Sequence, residues 1–150
     1  MAGTGQDAVV WRVSDLGRVL CTVAAVGGVG GALALLILAA TGHGGERGLV
    51  AAAMLAAVAA GLIWFSWRPS LTLLDDRVVV RNPLGTVTVP LRRIVATGPG
   101  YTGLVLQLAD GSVVTAWAVQ KTNLATWLHR ETRSDRVAAQ ILRAAHAARY

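Results

Sequence analysis

The sequence predicts an α+β fold in which two membrane-spanning helices precede a small antiparallel β-sandwich or open barrel with a C-terminal α-helix. Two observations lead to it: two long runs without charged residues, and a change to strand-like alternation after Pro69. The composition agrees. Of the 150 residues, 54% are hydrophobic and only 15% are charged, against about 25% charged in an ordinary soluble domain.

The first fifteen residues are predicted to be a cytoplasmic N-terminal tail, residues 1–15. Their longest run of large apolar side chains is Val9, Val10 and Trp11. We expect the tail to meet the membrane interface at these apolar residues, because amphipathic rings favour the headgroup level.

Residues 16–67 are predicted to be a transmembrane helical hairpin, with helices at about 16–40 and 49–67. The uncharged runs, Val19 to Gly45 and Gly48 to Trp67, are long enough, since roughly 20 helical residues cross a hydrocarbon core of about 30 Å. The link between them is too short to hold a domain, so the helices are antiparallel neighbours. A cleaved signal peptide is the alternative for the first run, but its apolar core is normally about 7–15 residues.

Charge near the ends of the two helices predicts their orientation. Arg12 and Arg18 precede the uncharged run of the first helix, whereas the short loop carries Arg47 next to Glu46. Three arginines follow the second helix: Arg68, Arg77 and Arg81. Arginine near helix ends marks the cytoplasmic side. We therefore expect a multi-pass protein of the cell membrane with both termini in the cytoplasm. The aromatic residues expected at the membrane interface are Trp11, Trp64, Phe65 and Trp67.

Small residues recur at four-residue spacing in both helices. Gly27 and Gly31 form one row, and Ala53, Ala57 and Gly61 form another. Such rows let helix backbones approach closely. The spacing leaves open whether they pack the hairpin, mediate dimerisation, or only reflect an Ala- and Gly-rich composition.

Residues 68–150 are predicted to form one small β domain with helices at its end. Strand-like segments recur at regular spacing, and Asp110-Gly111 is a strong hairpin-turn signal. Asn123 can cap a short helix and Ser134 a longer one. The predicted strands are 71–74, 77–81, 86–89, 93–96, 104–108 and 112–117. A curved sheet closed by a C-terminal amphipathic helix is the pleckstrin-homology (PH) architecture.

Several stretches resemble a bacterial PH family of actinobacterial membrane proteins, named after a mycobacterial low-molecular-weight protein antigen. They are Arg68–Leu73, Val79–Leu84, Leu106–Gly111 and, most distinctively, Trp117–Leu124. The resemblance covers essentially the whole chain and includes the order of two spans followed by the domain. It implies a PH-like fold and a membrane location, and it carries no activity with it.

Two groups of residues are candidates for an interaction site. Four arginines on successive strands are expected to converge into a basic patch that contacts anionic lipid, or to form a solvated face. They are Arg77, Arg81, Arg92 and Arg93. The second candidate is Trp117 with the polar loop that follows it, because Lys121 and Asn123 could present hydrogen-bond donors to a partner.

Specific binding of a phosphoinositide is not expected. PH domains that bind such headgroups use basic residues between their first two strands, where this sequence is predicted to place Asp75 and Asp76. Two carboxylates repel a phosphorylated headgroup.

No catalytic, metal or cofactor site is predicted. The histidines, His43, His129 and His146, are isolated, and no serine or threonine has the base that nucleophilic catalysis needs. We attribute the abundance of arginine to a GC-rich genome and expect no nucleic-acid partner.

The expected function is a non-catalytic, membrane-anchored PH-like interaction module on the cytoplasmic face. Its partners are membrane lipids and another membrane or cytoplasmic protein. The alternative is a structural or assembly component of an envelope membrane complex that contacts the lipid surface with its arginine-bearing sheet.

Overall fold

The computed structural model of the chain describes residues 8–43, 45–100, 102–119 and 133–149. Two compact units are present. One consists of the two long helices. The other is a β domain, to which the chain contributes residues from both sides of those helices.

The helical unit consists of α1 (Asp15–Ala40) and α2 (Gly45–Trp67). Both helices are long and apolar enough to cross a membrane, with mean hydropathy of 2.3 and 2.2 in their most apolar windows. Only 11% of each window is buried within the protein. The apolar side chains of this unit therefore face outward.

Small residues bring α1 and α2 together, and the contact includes Gly31 but not Gly27 of the row predicted in α1. A Cβ placed on Gly28 would lie 3.4 Å from the Ala59 Cβ, and one on Gly31 would lie 3.3 Å from Leu55 Cδ1. A Cβ on Gly27 would meet nothing within 4 Å. The contact stripe thus passes through glycines three residues apart, as the 3.6-residue helical period allows. The buried alanines beside it are Ala25, Ala32, Ala52 and Ala59.

The β domain contains two antiparallel sheets and a C-terminal helix, and it confirms the predicted PH-like α+β fold. The four-stranded sheet has the order β1 (Val9–Arg12), β2 (Ser70–Leu73), β3 (Arg77–Asn82), β4 (Gly85–Pro90). A 3₁₀ turn over Leu91–Arg93 leads to the three-stranded sheet of β5 (Ile94–Pro99), β6 (Leu104–Leu108) and β7 (Val113–Ala116). Helix α3 covers Arg133–Ala147.

Strand β1 lies in the segment that was predicted to be a tail. Val9 is opposite Leu73 and Arg12 is opposite Ser70 in the register of β1 and β2. Residues 9–12 are therefore part of the β domain. Four residues are too few to show a strand period, and the pairing partner is far away in the sequence, so the sequence alone gave no signal.

The position of β1 changes the identity of the first connection in the domain. The helical hairpin is inserted between β1 and β2, while Asp75 and Asp76 form the turn between β2 and β3. The sequence pattern predicts these carboxylates between the first two strands, because β1 has no recognisable signal. Asp75 and Asp76 therefore repel a phosphorylated headgroup at the β2–β3 turn, and not at the connection between β1 and β2.

The two sheets and α3 share one hydrophobic core. Trp11 packs against it from β1, opposite Leu71 of β2. The Thr97 hydroxyl of β5 donates a hydrogen bond to the Ala138 carbonyl of α3 at 2.9 Å. Ser134 lies inside α3 and is buried, although its residue type and position predict a cap of that helix. The core residues are Leu71, Val78, Val80, Val89, Leu91, Ile94, Leu104, Leu106, Leu108, Ala116, Ala118, Val119, Val137, Ala138, Ile141 and Ala145.

Candidate functional site

The four arginines predicted to converge do not form one patch. Arg77 and Arg81 both point to the outer face of β3, where Val78 and Val80 between them point into the core. Four residues of a strand separate them by roughly 13 Å. Register places Arg77 opposite Pro90, at one end of the sheet, and Arg81 near the other end.

Arg77 and Arg92 line a groove with a volume of about 410 Å³. Arg77 Nε lies 3.4 Å from Asp76 Oδ1, in an exposed ion pair. The Leu91 N–H donates to the Asp76 carbonyl at 2.9 Å, which fixes the turn beside the groove. Because both signs of charge are present, we call this the mixed-charge groove. Its lining residues are Asp75, Asp76, Arg77, Thr88, Pro90, Arg92 and Ala148.

Arg93 is engaged within the domain. Its guanidinium donates to the Asp110 carboxylate in the turn between β6 and β7. Asp110 Oδ1 also accepts hydrogen bonds from the Ser112 hydroxyl at 2.6 Å and from the Ser112 N–H at 2.9 Å. These two bonds from Ser112 and the charge of Arg93 lower the pKa of Asp110 from its ordinary value of 3.8. Arg93 thus stabilises a turn rather than joining the other arginines.

A second arginine pair, which the sequence analysis missed, crosses the outer face of the four-stranded sheet. Arg12 is opposite Ser70, Ser70 is opposite Arg81, and Arg81 is opposite Thr86. Directly opposite residues point to the same face. Arg12 and Arg81 are exposed, and neither forms an ion pair with a residue in the described part of the chain. We call these four residues the outer-face row. Arg12 could not be assigned to it before β1 was known to be a strand.

Of the predicted loop site, the structure describes only Trp117. Lys121 and Asn123 lie outside the described residues. Trp117 is half-buried, and its N–H donates to Asn82 Oδ1 at 3.1 Å. Asn82 Nδ2 also donates to the Thr115 carbonyl at 2.7 Å. An asparagine at the end of β3 therefore connects the two sheets, a role that the sequence did not indicate.

The aromatic residues assigned to the membrane interface separate into two groups. Trp64, Phe65 and Trp67 lie in the last turn of α2, with exposures of 49%, 46% and 54%. Trp11 instead belongs to β1 and contacts the core of the β domain. The apolar run Val9, Val10 and Trp11 predicts an interfacial location for Trp11, but the same run is also compatible with a β-strand.

The described ranges contain no group of three His, Cys, Asp or Glu side chains arranged to hold a metal ion. His43 Nδ1 lies 3.4 Å from the hydroxyl of Thr41, two residues away. His146 is exposed near the end of α3.

Residues 68–136 match the family model described as a bacterial PH domain. The match begins at Arg68, so it covers β2 to β7 and the start of α3 but not β1. Comparison with curated proteins and with solved structures yields no match.

Proposed function

We propose that this chain is a non-catalytic interaction module whose PH-like domain is anchored to the cytoplasmic face of a membrane by α1 and α2. One observation carries the proposal: both apolar helices are inserted between β1 and β2, two strands that pair with each other. The anchor is thus a loop of the domain, connected to it at both ends. Residues 13–14 and 68–69 are the connectors.

The outward-facing apolar surface of α1 and α2 supports a membrane location. Exposed residues along α1 include Leu20, Val26 and Ile37, at 60%, 67% and 65% exposure. Contiguous apolar surface of this kind is rare in soluble monomers, and helices of this length match a bilayer. Removal of α1 as a signal peptide would also separate β1 from the domain that it completes.

The pairing of β1 with β2 supports the topology. A folded sheet cannot straddle a bilayer, so the start of α1 and the end of α2 must leave the membrane on the same side. The arginines near those two ends support a cytoplasmic location for that side. With that side cytoplasmic, both termini are cytoplasmic in the proposed topology.

The mixed-charge groove supports a protein as the partner of the domain. It lies at the end of the sheet formed by the β2–β3 turn, opposite to the end at which β1 and β2 continue into the helices. Arg77 and Arg92 can pair with carboxylates of a partner, while Asp75 and Asp76 disfavour a uniformly anionic surface. A membrane or cytoplasmic protein segment that carries both charges fits this groove.

Crosslinking in native membranes followed by purification tests the groove. The Arg77→Ala and Arg92→Ala double variant is expected to lose its crosslinked protein partners. A matched double variant, Arg136→Ala with Arg143→Ala, removes two other arginines from α3 and is expected to retain them. Equal recovery of partners by both double variants would show that the groove is not the docking surface.

The outer-face row favours a second function, contact with the lipid surface. Arg12 and Arg81 flank the Ser70 hydroxyl, and Ser70 follows α2 after two connecting residues. Each arginine near an anionic surface contributes about 1 kcal/mol. An assembly role in an envelope complex, oriented by lipid contact, would use this row.

Hydrogen exchange tests the row in the full chain reconstituted in bilayers. Amides of the β3–β4 turn should exchange more slowly when phosphatidylglycerol is added to phosphatidylcholine. The Arg12→Gln and Arg81→Gln variant should lose this difference, and the Arg77→Gln and Arg92→Gln variant should keep it. The same rates in both bilayers for the unmodified chain would exclude lipid contact at this row.

A further inference from the structure

A groove on the helical hairpin combines a charged end with an apolar wall. It has a volume of about 300 Å³ and lies where the beginning of α1 meets the end of α2. Its lining residues are Asp15, Arg18, Val19, Thr22, Val23 and Trp67. All six belong to the helical unit.

Arg18 is held in this groove by the end of α2. The Arg18 guanidinium carbon lies 4.6 Å from the centre of the Trp67 ring, which is a cation–π contact. The Trp67 indole N–H lies 3.4 Å from Thr22 Oγ1, and the Thr22 hydroxyl donates to the Arg18 carbonyl at 2.8 Å. The hydrogen-bonding groups of Trp67 and Thr22 are thus used in positioning Arg18.

The two charged groups of the groove are not paired with each other. Arg18 Nε is buried and donates to no acceptor, and no ion pair joins Arg18 to Asp15 or to another residue in the described ranges. Residues three apart on a helix are neighbours on its surface. A guanidinium and a carboxylate are therefore neighbours on the surface of α1, and within the described ranges neither takes part in an ion pair.

We propose that this groove binds a phospholipid with a zwitterionic headgroup, of the phosphatidylethanolamine type. Arg18 donates to the phosphate, with charge-assisted bonds that a planar guanidinium forms well. Asp15 accepts from the ammonium group, which only two carbons separate from the phosphate oxygen. An acyl chain then covers Val19 and Val23, which are 57% and 65% exposed.

The carboxylate determines which lipid is favoured. Phosphatidylglycerol offers the same phosphate and acyl chains but no cation, so Asp15 would repel its net negative charge. The inference rests on the proposed membrane location of α1 and α2, because a bilayer supplies the ligand.

Native mass spectrometry of the full chain in detergent, mixed with each lipid in turn, tests the proposal. The unmodified chain should retain phosphatidylethanolamine in preference to phosphatidylglycerol. Arg18→Gln should lower retention of both lipids roughly tenfold, as expected for loss of a charge-assisted contact. Asp15→Asn should abolish the preference while keeping the phosphate contact.

Two further variants make the comparison specific. Glu46→Gln with Arg47→Gln removes another carboxylate and another arginine, near the start of α2, and should leave lipid retention unchanged. Arg18→Lys keeps the charge but loses the planar fork, and it should retain less lipid than the unmodified chain while still inserting normally. Helical circular dichroism and a single elution peak establish that each variant is folded.

The outcomes separate this inference from the proposed function. A chain recovered from cells without detergent would refute membrane anchoring itself. A chain that requires detergent, yet retains both lipids equally or retains them unchanged in Arg18→Gln, is anchored and has no site at this groove.

Discussion

The Asn82 side chain holds the backbone of Trp117: Asn82 Oδ1 accepts the Trp117 N–H at 3.1 Å, and Asn82 Nδ2 donates to the Thr115 carbonyl at 2.7 Å. Asn82 ends β3 in the first sheet, and Thr115 lies in β7 of the second. An amide carries both a donor and an acceptor, so one side chain can satisfy both backbone groups. The two sheets are thereby fastened at the point where the chain leaves β7 for the polar loop.

Replacing Asn82 with alanine should destabilise this junction. Two hydrogen bonds are lost, which corresponds to roughly 1–3 kcal/mol of local stability. Asn82→Asp should not rescue it, because a carboxylate cannot donate to the Thr115 carbonyl. Hydrogen exchange of the β7 amides, measured on the full chain in detergent, should become faster in both variants.

Thr86→Ala is the control for this experiment, since Thr86 is an exposed residue on the neighbouring strand. Faster exchange of β7 in Thr86→Ala, or protected β7 amides in Asn82→Ala, would contradict the assigned role of Asn82.

Gly103 is required by a close approach of two backbone segments. A Cβ on Gly103 would clash with the Ala116 carbonyl oxygen and would lie 3.1 Å from the Trp117 Cα. Because backbone cannot move aside as a flexible side chain can, Gly103→Ala should cost about 1–3 kcal/mol or more. Thermal unfolding monitored by proteolysis should show the shift. Gly98→Ala is the matched control, as a Cβ there meets nothing within 4 Å, and its melting temperature should be unchanged or higher.

The Asp110 turn should make the β domain less stable at acidic pH. The pKa of Asp110 is lowered chiefly by the two hydrogen bonds from Ser112, and also by Arg93. A carboxyl whose pKa is lower in the folded chain stabilises the fold above its unfolded value of about 4. This contribution is lost as the pH falls through the folded pKa.

Ser112→Ala should therefore raise the pKa of Asp110 towards its ordinary value and reduce the acid dependence of stability. A carbon-detected titration of the Asp110 carboxyl group measures the first effect directly. Thr102→Ala, on an exposed residue outside the turn, should leave the titration where it is. An unchanged Asp110 titration in Ser112→Ala would mean that the hydrogen bond from the Ser112 hydroxyl does not form in solution.

The elements that could be predicted from sequence are those whose signal is local. Strands β2 to β7 were recognised from alternating side chains and turn residues such as Asp110-Gly111, and the two apolar helices from uninterrupted hydropathy. β1 could not be recognised, because its existence depends on pairing with β2 across the whole helical hairpin. The outer-face row could not be predicted for the same reason, because Arg12 and Arg81 lie on one row only when β1 pairs with β2.

The candidate sites show a second limit of sequence reasoning. Arg77, Arg81, Arg92 and Arg93 have the same composition signal, yet the fold separates them by strand register and by the ion pair of Arg93 with Asp110. The number of arginines predicts a basic surface, but it does not predict which of the arginines lie close together. Asn82 gave no signal at all, because its two partners are backbone groups of a distant strand and connection.

The last prediction concerns the boundary of the β domain. The sequence places it at Arg68, which predicts that residues 68–150 fold alone. The structure instead requires β1, because Trp11 packs on the core beside Leu71 and β1 pairs with the full length of β2.

Since Arg12 is opposite Ser70, an Asn-Gly turn can replace residues 13–69 and join the two strands directly. This joined domain should be soluble and should unfold cooperatively, whereas the fragment 68–150 should be less stable by about 2 kcal/mol or more, as expected when a partly buried tryptophan is removed from a core. Urea unfolding of both proteins measures the difference, and Trp11→Ala in the joined domain should reproduce most of it. If the fragment 68–150 unfolds at the same urea concentration as the joined domain, β1 is dispensable and the hairpin is an N-terminal addition rather than an insertion.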